Sequence, residues 1–176
     1  MTLVPDEWMP AARLERVILH WTAGSHTASD FDRKHYHVLI EGSGRVVRGT
    51  PSIAANGIGA PASAGARASH TRNGNTGSIG VSMCAMRGAV ERPFNPGPSP
   101  LTRVQWETAA RVVAILCRRY GIAVTPRTVL SHAEVQTNLG IAQVGKWDVA
   151  RLPFDPSMIG AAACGAAFRS LVSGNL

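Results

Sequence analysis

The sequence predicts an α/β fold in one domain, a mixed central β-sheet flanked by helices, and three observations carry that prediction. Short apolar runs recur and end on polar residues, as in Arg16–Leu19 and Thr128–Ser131. One long segment beginning near Thr102 has helical spacing instead. A chain of 176 residues fits one compact domain that buries roughly 70% of its unfolded surface, with a core expected over about residues 14–172.

In chain order, Arg16 to Leu19 reads as a buried strand stopping at His20, and Thr22 to His26 as a turn. Ser29 or Ser25 is positioned to cap a short helix over SDFDRKH. YHVLIEGSGRVVRG then alternates around a Gly-Ser-Gly turn, which predicts a hairpin of two antiparallel strands. Thr50 to Asn75 is rich in Gly, Ala, Ser and Pro without periodicity and reads as one long loop, a length usually reserved for function. SIGVSMCAM is a compact apolar strand, and the prolines of ERPFNPGPSP exclude helix interior beyond it. Val104, Ala109, Val112, Val113, Leu116, Cys117 and Tyr120 then mark one helix face, with Thr102 as cap and Gly121 as stop. A short strand over Thr128 to Ser131 leads to His132, and Pro156 to Val172 reads as a second amphipathic helix.

Composition narrows the function classes. The three cysteines, Cys84, Cys117 and Cys164, are widely spaced and form no CxxC pair, so neither a disulfide framework nor a thiolate zinc site is indicated. They read as small buried hydrophobes. No charged n-region with a following apolar stretch opens the chain, and no apolar run approaches ~18 residues, so cytoplasmic synthesis without membrane insertion is expected. The formal charge of +7 favours an anionic partner such as nucleic acid, an acidic membrane or a wall polymer. Lys and Arg are scattered and are not interleaved with aromatics, which ranks a specific nucleic-acid partner below a wall polymer.

His20 and His132 each follow an apolar, strand-like run, and GKWDV adds Lys146 and Asp148 after a Gly-containing stretch. A catalytic zinc needs three protein ligands and one open position, so His20, His132 and Asp148 would suffice. No short HExxH-type signature is present, and each residue taken alone also fits an ordinary structural role.

Five segments in order, LHWTAG, YHVLIEGSGRVVRG, SHTRNGNTGSIGVSM, LSHAEV and GKWD, together resemble the zinc-dependent N-acetylmuramoyl-L-alanine amidases of type 2. That family spans phage-lysozyme-like enzymes, muropeptide-recycling amidases and peptidoglycan recognition proteins, and the resemblance runs from about Val17 to Asp148. It implies that fold, and one Zn²⁺ held by His20, His132 and Asp148. It makes Lys146 the catalytic lysine. Family members carry a further polar group either as a Tyr at the start of the hairpin or as a Glu two residues after the Gly of SIG. The chain has Tyr36 at the first place and Ser82 at the second, which points to the Tyr-containing variant, since serine without an activator is no general base. His70 matches a position lining the substrate groove, with Thr71 and Asn73 beside it. Trp21, Thr22 and Trp147 adjoin site residues and are candidate groove walls, with core packing as the alternative for the tryptophans.

Two departures from the family pattern stand out. The stretch between His132 and Lys146, EVQTNLGIAQVG, is longer, and Val149 replaces the Pro common after the third ligand. The extra length leaves Glu134 as a competing third ligand, though Lys146 two places earlier favours Asp148. The activity implied is hydrolysis of the amide between N-acetylmuramic acid and the L-alanine of the stem peptide. A monomeric endolysin or exported effector acting on peptidoglycan is expected, delivered by a holin or a secretion system. A cytoplasmic enzyme recycling small muropeptides and a non-catalytic peptidoglycan-binding module are the competing readings.

Overall fold

The computed structural model describes residues 3–176. Its centre is one five-stranded mixed sheet of order β3-β2-β4-β1-β5. The strands are β1 (Arg16–Trp21), β2 (Val38–Ile40), β3 (Val46–Arg48), β4 (Ser78–Met83) and β5 (Val129–Ser131). Strand β1 lies parallel to β4 and β5, β2 is parallel to β4, and only the β2–β3 hairpin is antiparallel. The helices are α1 (Asp30–His35), α2 (Arg103–Tyr120), α3 (Val135–Leu139) and α4 (Ala161–Ser173). None among the described residues is long and apolar enough to cross a membrane.

The alternation of β1 and β4 decides where the site lies. Val17, Leu19 and Trp21 share a face with Ile79, Val81 and Met83, and this apolar face packs against α2 and α4. The opposite face carries Ile18 and His20 on β1 and Ser78, Gly80 and Ser82 on β4, with His20 and Ser82 in register. Small and polar residues there leave room for the side chains of a site. Ile18 and Leu130 close the lower part of this face against Val135, Leu139 and Ile141.

Helices α1 and α2 begin and end where the sequence predicts, whereas α3 lies in a stretch for which the sequence reading expects no helix. Ser29 rather than Ser25 caps α1 in a reciprocal capping box with Asp32. Thr102 caps α2 in the same way with Gln105, whose amide also donates to Ile40 O and Cys84 O at 3.0 and 2.8 Å. Gly121 ends α2 at φ 66°, a left-handed position that favours glycine. The final helix differs: it starts at Ala161, because 156–160 turn back through Gly160 at φ 98°. Strand β1 also runs past His20 to Trp21, since β4 offers pairing as far as Met83.

The long loop of residues 50–75 is ordered by its own polar side chains. Asn56 is fully buried and holds Ala68 from both sides, donating to its carbonyl at 3.0 Å and accepting from its N–H at 2.9 Å. This fixes the path of the chain into His70. The three cysteines are buried free thiols, as expected.

Candidate metal centre and active-site cleft

His20 leaves the polar face of β1, His132 opens the turn after β5, and Asp148 follows the loop that returns from α3. Their ligand atoms lie within 4.8 Å of one another. The Nδ1 atoms of His20 and His132 stand 3.1 and 3.2 Å from the same Asp148 oxygen, Oδ2. Tetrahedral bonds of ~2.0–2.1 Å place neighbouring ligand atoms about 3.3 Å apart, and the two imidazole–carboxylate separations match that spacing. Two imidazoles and a carboxylate also form a donor set that suits zinc.

Glu134, the competing ligand, is directed elsewhere. Its carboxylate accepts from Ser131 N at 2.8 Å and from Arg169 Nη1 at 3.0 Å, which ties β5 to α4. Gly165 gives it room, because a side chain there would collide with the Glu134 carboxylate. The cysteines take no part in the cluster, and burial pushes their thiols up, to about 12 for Cys84 and about 11 for Cys117 and Cys164.

Burial sets the protonation of the cluster. Desolvation brings His20 down to about 4, so it is a neutral lone-pair donor at pH 7. Burial alone would raise Asp148, but the hydrogen bonds from His132 and His20 outweigh it and hold the carboxyl below its ordinary value. Behind His20, His70 Nδ1 lies 3.2 Å from His20 Nε2 and 2.9 Å from Thr71 Oγ1. The His70 ring rests on Gly80, where a Cβ would come within 2.6 Å of it. Next to it, His37 Nδ1 accepts from Gly80 N at 2.9 Å, so a row of histidines backs the site.

The cluster lies in an open cleft of about 350 Å³ that Trp21, Thr22, Tyr36, His70, Lys146 and Trp147 also line. Trp21 is almost wholly buried in the core and meets Trp147 edge to face at 4.8 Å, so Trp147 is the more available wall. The Tyr36 ring lies 5.2 Å from that of His20, and burial pushes its phenol up beyond the ordinary value. Lys146 is exposed on the rim.

Two of the groove residues expected from the sequence lie outside this cleft. Thr71 is buried behind His70 and His20, where its hydroxyl supports the rings rather than meeting a ligand. Asn73 sits exposed in a turn at φ 57°, and it is Asn75 that shapes the loop, accepting from His70 N and Thr71 N at 3.1 and 2.8 Å. The structure also adds residues the sequence reading missed. Phe31 and His35 of α1 line the cleft, with Phe31 70% exposed. Gln143, from the long stretch before Lys146, lies 2.9 Å from His132 Nε2. The unusual length of that stretch was the only signal in the sequence.

The family model described as N-acetylmuramoyl-L-alanine amidase matches residues 10–163. No curated protein matches the sequence. Among solved structures, PlyL is similar at TM-score 0.56 and 17% identity, covering 98% of this chain and 94% of its own. The Ph2119 endolysin from a Thermus scotoductus MAT2119 bacteriophage is similar at TM-score 0.51 and 16% identity, with 82% of each chain covered. The N-acetylmuramoyl-L-alanine amidase LysC from Clostridium intestinale URNW is similar at TM-score 0.50 and 15% identity, with 81% of each covered. These identities speak for the fold, and the family match over residues 10–163 speaks for the chemistry: the chain belongs to the N-acetylmuramoyl-L-alanine amidase family, enzymes that act on peptidoglycan.

Proposed function

We propose that the protein is a zinc-dependent amidase that cuts the bond between the lactyl group of N-acetylmuramic acid and the stem-peptide L-alanine, and that it acts on polymeric peptidoglycan. The observation that carries this reading is the convergence of His20 Nδ1, His132 Nδ1 and Asp148 Oδ2 at the floor of a cleft whose walls include Lys146 and Tyr36. The chemistry that zinc supplies in such a set is Lewis acidity, which polarises a carbonyl and makes water nucleophilic near pH ~7.

The chain's own residues account for the rest. Lys146 brings a cation to the rim beside Asp148, placed to stabilise the oxyanion that forms as the amide carbonyl becomes tetrahedral. Tyr36 keeps its proton because of burial, so it serves as a hydrogen-bond donor that orients the reacting groups and not as a base. Trp147 supplies an apolar wall against which a sugar or peptide can rest.

The polymer, rather than a small recycled fragment, is favoured by Ser82, buried in register with His20 where a recycling enzyme would carry Glu. The charge of +7 also suits an anionic wall and an endolysin or exported effector. The test supplies the purified enzyme with intact sacculi and, separately, with soluble anhydro-muropeptides. Faster turnover of sacculi is expected, and preference for the fragments would make this a recycling amidase.

A further inference from the structure

Gln143 stands where the long segment after α3 turns back toward the site. Gly140 ends α3 at φ 73°, and the neighbouring side chains then alternate in and out. Ile141 packs on the cluster of Ile18, Leu130 and Val135, Gln143 is buried, and Val144 at the tip is 86% exposed. The backbone N–H of Gln143 is itself held by Gln136 Oε1 at 2.9 Å.

The amide of Gln143 has only one workable orientation. Its Nε2 lies 2.8 Å from the carbonyl oxygen of Arg72, which can only accept, so the NH₂ group must face that carbonyl. The amide oxygen therefore faces His132 Nε2 at 2.9 Å and accepts its proton. With the proton held on Nε2 by Gln143, Nδ1 of His132 is free to offer its lone pair to a bound metal in place of the contact it makes with Asp148. The same amide also ties the 140–146 segment to the loop bearing His70 and Thr71, which backs His20.

We propose that Gln143 is a positioning residue for the metal centre: it fixes the tautomer and ring orientation of His132 and couples the two loops that support both histidines. The inference rests on the metal-site reading above. It assigns a purpose to a segment whose length departs from the family pattern.

The test measures zinc affinity of the metal-free protein by competition with a chromophoric chelator, with thermal melts of the same samples to show that each variant folds. Gln143→Leu removes the acceptor and is expected to weaken zinc binding by ~10- to 100-fold. Gln143→Glu keeps an acceptor for His132 Nε2 but loses the donor to Arg72 O, so it is expected to recover part of that loss. Unchanged zinc affinity in Gln143→Leu, or no recovery in Gln143→Glu, overturns the proposal while leaving the site intact. His20→Ala distinguishes the other failure: if it binds zinc as tightly as the wild type, the metal-site reading itself falls.

Discussion

His37→Asn tests the physical basis of the histidine row in isolation. His37 is almost completely buried, and desolvation lowers its pKa from 6.5 to about 3. Above pH 6.5 the ring is neutral in both folded and unfolded chains and contributes no pH dependence. As pH falls below that value the unfolded chain takes up a proton that the folded chain refuses, so stability is lost on acidification. At pH 4.5, two units below the unfolded value of 6.5, the loss from this one residue is about 2.7 kcal/mol at 1.36 kcal/mol per unit. The Asn side-chain oxygen can still accept from Gly80 N, so the variant removes the titration with little change to the hydrogen bonding. Urea unfolding of both proteins in chelator, at pH 7.0 and 4.5, reads the effect. The wild type should lose about 2.7 kcal/mol more than the variant across that interval. Parallel losses would refute the argument that His37 is buried neutral.

Other consequences concern catalysis, packing and substrate attraction. Lys146→Ala should lower kcat by ~10²- to 10³-fold while leaving zinc content unchanged, and wild-type turnover would remove Lys146 from the mechanism. Tyr36→Phe should cost ~10²-fold in kcat, with little change in KM, and a loss confined to KM would assign the phenol to binding alone. Gly165→Ala should destabilise the fold by ~1–3 kcal/mol, since the methyl group collides with the Glu134 carboxylate; an unchanged Tm contradicts that packing. Activity on sacculi should fall as salt rises and the screening length shrinks from ~30 Å at 0.01 M to ~8 Å at 0.15 M, and a flat profile would separate the charge of +7 from substrate attraction.

What the sequence makes legible follows from how local each signal is. The α2 helix has a cap, a stop and a sustained period, all within one segment, so its ends coincide with those expected from Thr102 and Gly121. The convergence of His20, His132 and Asp148 was legible only through the ordered motifs, because residues 128 apart carry no local sign of contact. A polar His20 reads as the close of an apolar run, whereas pairing with β4 carries the strand on to Trp21. Residues 156–160 are compatible with a helix in composition but are turned by Gly160, so α4 starts at Ala161. Thr71 and Asn73 adjoin His70 in sequence, yet the Thr71 hydroxyl lies buried against the His70 ring and Asn73 sits exposed in a left-handed turn. Gln143 and Phe31 are not legible in the sequence because tertiary packing alone turns Gln143 inward onto His132 and Phe31 toward the cleft.

The central claim is that one zinc, held by His20, His132 and Asp148, serves the cleavage of a single kind of bond. Mass spectrometry of sacculus digests, run with the native enzyme, with a chelator, and with one equivalent of zinc restored, tests the bond and the metal together. The account predicts free stem peptides beginning with L-alanine and intact glycan strands, lost with chelator and regained with zinc. Cleavage within the glycan or between peptide residues, or release that continues undiminished in chelator, would contradict it.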